Sequence, residues 1–516
     1  MQPSEPISNE LPQYPESLWR ATTDFPSFPR LTEDIKVDVA IVGAGIAGIT
    51  TGYLLAREGL KVALIEAGKV LNGTTAHTTA KITAQHGMLY DELLSHFGQE
   101  RASMYYQANR EALQFIRDTA SKLNIDCGLH EEDAYVYMEK DKDLNKLEKE
   151  FEAYEKLGIP GEWVNKLPIP QFASGAIKLP GQARFHPLHY LRRLLEEFVK
   201  AGGQVYENTT VHKVDKEGPL TVVTYRGSHK IQCSHVVAAT HFPFLDEGGF
   251  YFARLHADRS YALAMKPETT FAGGMYISAD KPTRSLRAAS WNGEEVVIVG
   301  GEGHKTGQHI CTFSYYEALE AYGGKLLGSK GIPFRWSTQD LVTIDKVPYI
   351  GQITSKDEGI YVATGFNKWG MTSGTLAGRM LSDQIIGRDN PYSELYTPSR
   401  FLADPSIINL VKENADVAGE LISGKVGLVH SRIEDLNPDE GAVVRHNGKK
   451  AGAYKDPEGN LHLVDNTCTH MGCETEWNAA ERTWDCPCHG SRFSYDGVVF
   501  EGPAIKPLEK LDTRVD

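Results

Sequence analysis

Val37-Asp38-Val39-Ala40-Ile41-Val42-Gly43-Ala44-Gly45-Ile46-Ala47-Gly48 is a short apolar run closed by three glycines at the spacing G-x-G-x-x-G. Such a run, bounded by turn residues, reads as a buried strand. The glycines allow a tight turn, backbone approach to a pyrophosphate and close packing of a helix on the strand. A helical pattern follows to Glu58, and Gly59 ends it. A second strand, Lys61 to Ile65, stops at Glu66, eighteen residues past Gly48. There a carboxylate can accept the hydroxyls of an adenosine ribose, while the phosphates face a helix N-terminus whose free N–H groups favour anions. A glycine-rich turn without a ligand would not need strand, helix and acid in register. A second fingerprint is sought in Val299-Gly300-Gly301-Glu302-Gly303-His304-Lys305-Thr306, but threonine stands where the third glycine belongs. One bound dinucleotide is therefore expected.

Working outward, the first thirty residues are rich in proline and acids, with no basic start and no apolar middle. They are not a secretory signal, and a cytoplasmic protein is expected. Helical, charged stretches between about 90 and 160 (Glu111 to Leu123, Leu144 to Leu157) read as an insertion. Strand-like runs return around Val205, Val222 and Ser234–Thr240, and again as Tyr261–Met265 and Val296–Val299. Gly359–Thr364 is a further core strand, and Gly374 to Ile386 a closing helix. At 516 residues the chain has room for about three units. With 54 basic and 68 acidic residues it carries −14, which argues against nucleic acid and anionic membranes as partners. The longest apolar stretch, Ala40 to Ile49, is too short to span a bilayer.

Residues from about 35 to 390 resemble the D-amino-acid oxidase/glycine oxidase family of FAD-dependent oxidoreductases. The matching pieces are Val39–Gly48, Val236–Thr240, Asp345-Lys346-Val347-Pro348-Tyr349-Ile350-Gly351 and Ala363-Thr364-Gly365-Phe366-Asn367-Lys368-Trp369-Gly370-Met371. The resemblance implies FAD as the dinucleotide, held at Gly43, Gly45, Gly48 and Glu66, with Thr74, Thr75, His77 and Val211 also at the cofactor. It implies that Gly365, Gly370 and Met371 line the isoalloxazine. Lys368 and Trp369 depart from relatives that often have small residues or histidine there, which makes Lys368 a candidate at the ring. Some relatives attach FAD covalently through a histidine placed similarly to His77; the plainer reading is a polar loop residue beside the cofactor. Lys81 is either a positive charge next to the flavin or a solvated strand-end lysine. Arg259, in Arg254-Leu255-His256-Ala257-Asp258-Arg259, is either a bidentate clamp for a substrate carboxylate or a structural salt-bridge partner. His304 and Lys305 are lesser candidates.

The tail reads Cys468-Thr469-His470-Met471-Gly472-Cys473, then twelve residues, then Cys486-Pro487-Cys488-His489-Gly490-Ser491. Each half supplies one thiolate and one imidazole, as Cys-x-His and Cys-x-x-His. That suits a Rieske [2Fe–2S] centre, in which two cysteines bind one iron and two histidines the other. Structural zinc, which prefers paired cysteines and paired histidines, is the alternative. Residues 425 to 516 resemble the Rieske domain family, which implies Cys468, His470, Cys486 and His489 as iron ligands. The resemblance also implies a disulfide between Cys473 and Cys488, as in Rieske proteins of cytochrome bc complexes, and a hydrogen bond from Ser491 to a bridging sulfide. Phe493 stands where high-potential relatives carry tyrosine, so a potential below theirs is expected within the range of about −150 to +300 mV. Cys127, Cys233 and Cys311 are scattered and read as small buried hydrophobes.

The expected architecture is an α/β FAD-binding Rossmann-like unit of glutathione-reductase type with an interleaved antiparallel substrate sheet, then an all-β Rieske module. In residues, this is a lead (1–34), an oxidoreductase domain (35–390), a linker with a helical arm (391–424) and the Rieske domain (425–516). Within the oxidoreductase, 35–100, 176–245 and 336–390 are assigned to FAD binding, and 101–175 and 246–335 to substrate. The expected activity is dehydrogenation of an amino acid or amine, with electrons passed singly to the cluster and an external acceptor. An oxidase using O₂ directly and a non-catalytic electron carrier or sensor are the rivals.

Overall fold

The computed structural model describes residues 11–225, 229–246, 248–308, 312–400, 414, 416, 417, 419, 420 and 431–513. Most of the expected helical arm, and Cys311, lie outside the described residues. The dinucleotide half is built on a six-stranded sheet ordered Tyr349–Gln352, Ile360–Thr364, His235–Ala238, Val39–Val42, Val62–Ile65, Gln204–Tyr206. Every pairing is parallel except the one made by Tyr349–Gln352. Val39–Val42 and Val62–Ile65 are buried throughout, as befits strands covered on both faces. The helix Ile46–Arg57 packs on the helix Gly370–Ile385, and small residues let them touch: a Cβ on Gly378 would lie 2.6 Å from Thr50 Cβ.

Substrate-half strands form a nine-stranded sheet running from Phe334–Thr343 at one edge through Leu255–Met265, Glu294–Lys305, Arg284–Trp291, Met275–Ser278, His130–Met138 and Gly175–Arg184 to Lys81–Ile82. Glu162–Val164 pairs beside Gly175–Arg184. One face of this sheet (Ala262, Ala264, Ala289, Val296, Ile298, Trp336) packs into the core of the dinucleotide half. The other (Leu263, Met265, Leu286, Val297, Val299) packs on the helix Phe313–Leu327. The expected boundaries shift here. The substrate sheet keeps the chain until Arg184 rather than 175, and until Thr343 rather than 335, because both strands run on through mixed polar residues that carry no break signal.

From residue 11 onward the lead is fastened. Ser17, Leu18 and Trp19 are buried, Trp19 Nε1 donates to the Thr78 carbonyl, and the carbonyls of Pro12 and Gln13 accept from Arg335. The C-terminal module is a three-stranded sheet (Glu440–His446, Lys449–Lys455, Leu461–Asp465) and a four-stranded one (Glu476–Asn478, Thr483–Asp485, Arg492–Ser494, Val499–Glu501). No helix among the described residues is long and apolar enough to cross a membrane.

Candidate functional site

The glycine turn forms a cradle that side chains would fill. Gly43 has φ +105, and a Cβ on it would lie 2.3 Å from the Ala239 carbonyl oxygen; a Cβ on Gly48 would lie 2.0 Å from the Gly43 carbonyl oxygen. Gly45 caps the helix, and Thr75 Oγ1 accepts from the Ile46 N–H. Glu66 ends its strand with one carboxylate oxygen accepting from Ala44 N at 3.0 Å and the other from Gly68 N at 2.9 Å. Burial raises its pKa against these backbone donors. The neighbouring loop is tied to the same strand end, with Thr209 N donating to the Glu66 carbonyl, and Val211 begins the strand that follows. Backbone, acid and helix end thus fit the adenosine diphosphate of FAD.

At the other end of the cofactor path, Gly365 has φ +74 and abuts Thr343, and Gly370 and the buried Met371 open the helix Gly370–Ile385. Lys368 is exposed, its Nζ close to Gly303. Asp340 lies in reach of that charge, yet burial lifts its pKa to about 7. Trp369 stacks on His86 at 4.6 Å, and both His86 nitrogens are engaged, by Tyr105 Oη and the Thr83 carbonyl. In the loop Thr74–His77, His77 Nδ1 sits 2.9 Å from the Gly73 carbonyl, which leaves Nε2 as the nitrogen not tied to its own loop.

Lys81 crosses the sheet face that looks toward the dinucleotide half, its Nζ donating to the Tyr276 carbonyl at 2.9 Å. Desolvation, with Arg287 nearby, pushes its pKa down to about 7. Arg287 is buried, donates to the Phe185 carbonyl, and leaves Nε without a partner. Glu132 is the nearby acid, but it is held by Arg184 at 2.9 Å.

Arg259 turns the other way. It is fully buried on the opposite face and donates to Ser337 Oγ at 2.7 Å and to Glu501 of the C-terminal module at 3.3 Å, with Asp485 at 4.0 Å. A guanidinium committed to these acids does not clamp a substrate, so of the two readings of Arg259 the salt bridge is the one the structure bears. His304 stacks on Tyr315 and contacts Tyr261 Oη, and Lys305 pairs with Asp416 at 2.8 Å.

In the C-terminal module, Cys468, His470, Cys486 and His489 come together from two loops. Cys468 N donates to the Cys473 carbonyl, and Cys486 N donates to the Ser491 carbonyl, which curls each loop around its thiol. The imidazoles meet edge to face at 5.0 Å, and Nδ1 of each is buried without a partner. Two orphaned ring nitrogens and two free buried thiols are the donor set a [2Fe–2S] cluster requires, and not one a finished hydrogen-bond network would leave. The two thiols share a hydrogen bond: Cys486 and, less strongly, Ser491 and loop N–H groups hold the Cys468 thiol below its ordinary value, and Cys486 is correspondingly raised. Cys473 and Cys488 form the disulfide that joins the loops. The sulfurs of Cys473, Cys486 and Cys488 lie within 4.8 Å of one another, but two belong to this bridge, so the trio is a disulfide against a ligand and not a metal set. Ser491 Oγ accepts from Ala504 N at 3.0 Å and turns its proton toward the Cys468 sulfur. Phe493 is fully buried beside the ligand cysteines.

A family model of FAD-dependent oxidoreductases matches residues 38–384, and one of Rieske [2Fe-2S] domains matches residues 428–512. The chain belongs to the FAD-dependent oxidoreductase family. This FAD-dependent oxidoreductase carries a C-terminal Rieske domain, and its cofactors are FAD and a [2Fe-2S] cluster. A Bacillus subtilis protein, YhfW, named for a Rieske 2Fe-2S centre, is 49% identical over 96% of this chain and 98% of its own. The gamma-glutamylputrescine oxidoreductase of Escherichia coli is 22% identical over 73% of this chain and 90% of its own. A glycine oxidase structure from Geobacillus kaustophilus superposes with a TM-score of 0.61 at 18% identity, over 72% of this chain and all of that one.

Sequence reading missed Arg287, Gln339, Phe242 and Phe252, all of which sit at the seams of the site. The one signal was the alternation Arg335, Ser337, Gln339, which reads as a solvent-facing side of a strand. That face is covered by the Rieske domain instead.

Proposed function

We propose that the protein dehydrogenates an amino-acid or amine substrate and delivers the electrons singly, by way of its Rieske domain, to an external acceptor. The observation that carries this reading is the direction of the cluster histidines. The His470 ring contacts Phe242 at 6.3 Å and the His489 ring contacts Phe252 at 6.1 Å, both on the segment that follows the core strand His235–Ala238. Ala239 of that segment touches Gly43 of the dinucleotide turn. FAD supplies two-electron acceptance from a carbon–hydrogen bond, and a Rieske cluster supplies one-electron exchange.

The residues of the chain bind and orient. Gly43, Gly45, Gly48, Glu66, Thr75 and Val211 hold the adenosine diphosphate end, and Thr74, His77, Gly365, Gly370 and Met371 the flavin end. The half-buried Lys81 and the buried Arg287, two cations with no uncommitted acid between them among the described residues, receive a carboxylate, which favours an amino acid over a simple amine. Lys368 places a second charge at the ring's edge, and His86 with Trp369 walls the site with a flat, neutral surface. A carboxylate fixed by two cations orients the adjacent carbon, the part of catalysis that binding energy supplies.

An anaerobic screen of amino acids and amines tests the reading, with flavin bleaching and cluster reduction followed together. One compound that bleaches the flavin and then reduces the cluster is the expected result. Stoichiometric peroxide with an unreduced cluster would replace it with an oxidase, and exchange only with a protein partner would replace it with a carrier. Flavin that stays with acid-precipitated protein would support attachment at His77, and full release would end that reading.

A further inference from the structure

We propose that Gln339 is a positioning residue that seats the second cluster loop on the edge of the substrate-half sheet, beside the loop Thr74–His77, so that the Rieske domain works from one fixed, docked position. The inference rests on the electron route proposed above. Gln339 is 1% exposed on the edge strand Phe334–Thr343. Its main-chain carbonyl accepts from Thr74 Oγ1 at 3.3 Å, in the loop assigned to the flavin end of the cofactor. Its side-chain Nε2 donates to the Gly490 carbonyl at 2.9 Å, one residue past the cluster ligand His489. Its Oε1 accepts from Thr306 Oγ1 at 2.9 Å and from Arg259 at 3.4 Å, which fixes which way the amide points. One residue thus joins the two cofactor loops through two hydrogen bonds.

Two glycines bring the backbones flush along the same seam. Gly490 has φ +77, and a Cβ there would lie 2.5 Å from Ala257 Cβ and 2.9 Å from Gln339 Nε2. Gly307 has φ +75, and its Cβ would lie 2.6 Å from Pro487 N. Arg259, Asp485 and Glu501 bury opposite charges across it, and Thr312 donates to Asn478 at 2.7 Å. A domain that swung away would break these buried ion pairs, and on returning would have to strip the water from every charge again.

Two variants of the FAD- and cluster-loaded protein test this. Gln339→Met keeps the length without the amide; Gln339→Glu keeps acceptors for Thr306 and Arg259 but has no N–H for Gly490. The first readout is amide hydrogen exchange of residues 486–491. The second is flash reduction of the flavin by a photogenerated 5-deazaflavin radical, with cluster reduction followed by absorbance. The expected result in both variants is exchange about tenfold faster and flavin-to-cluster transfer about tenfold slower, the loss of one buried hydrogen bond. Flavin reduction and iron content should match the parent. Should the Met variant fail to fold, the isosteric Glu variant carries the test. Unchanged exchange and unchanged transfer overturn the proposal. A parent protein that passes no electron from flavin to cluster defeats the electron route instead, and the exchange readout alone then decides whether Gln339 seats the loop.

Discussion

Lys81 shows how burial sets chemistry at a single residue. Its ammonium is penalised by lost water and by Arg287, with Arg184 paired across the strand and Glu132 already spent on Arg184. An anion bound beside it favours the charged form, so the amine must hold a proton in the complex. Below about pH 7 it already does; above, binding has to take one up. Carboxylate ligands are therefore expected to bind with constant affinity below about pH 7 and to weaken by up to about tenfold per pH unit above it. Lys81→Met should flatten that slope, as read from perturbation of the flavin spectrum. At the cluster, Phe493→Tyr adds a buried hydroxyl beside the ligand cysteines and is expected to raise the midpoint potential, which a redox titration reads directly. The glycine turn and the gathering of Cys468, His470, Cys486 and His489 were legible because their spacing is their chemistry. Arg259 was half legible: its type announced a carboxylate partner, but only the fold decides whether that partner is a substrate or Glu501.

Among elements, the strand Phe334–Thr343 has a role its sequence conceals. As an edge strand it would leave a row of unpaired carbonyls, a liability that proteins cover. Here Glu16 N takes the Arg335 carbonyl, Thr74 the Gln339 carbonyl and Asn367 N the Leu341 carbonyl. Its Arg335, Ser337 and Gln339 alternate as a surface strand would, because the partner face is polar too. The lead was invisible for a related reason: six prolines erase any period, and a segment held by its carbonyls needs no apolar pattern. Trp19 is its anchor, 2% exposed with Arg287 over its ring at 4.9 Å. Trp19→Ala is expected to cost about 3–5 kcal/mol, measured by denaturant unfolding. The cluster loops have their own tie. Cys473 and Cys488 are 15 residues apart, so replacing both with alanine should cost about 3 kcal/mol and lower iron retention on dialysis.

For the whole molecule, two folds that were readable separately become one body through contacts that were not. The domain order and both fold types followed from motifs. Their mutual placement did not, because it depends on buried charges far apart in sequence: Arg259 with Asp485 and Glu501, and Arg335 near Glu481 at 3.8 Å. Burial works to raise Asp485 and Glu501, yet the arginines beside them hold both below the usual carboxylate range. Removing one partner leaves charge stranded, so Arg259→Met should cost about 3–5 kcal/mol of docking. Calorimetry would then resolve two unfolding transitions where the parent shows one.

The lead's fastening also orders events in time. The Gln13 carbonyl accepts from Arg335 and from Arg482, the latter 469 residues further along. Ribosomes add about 5–20 residues per second, so this segment waits on the order of a minute before that anchor exists. Until then the Gln13 carbonyl has Arg335 as its partner, once that strand is made. Closure of the strap therefore waits on synthesis of the Rieske domain.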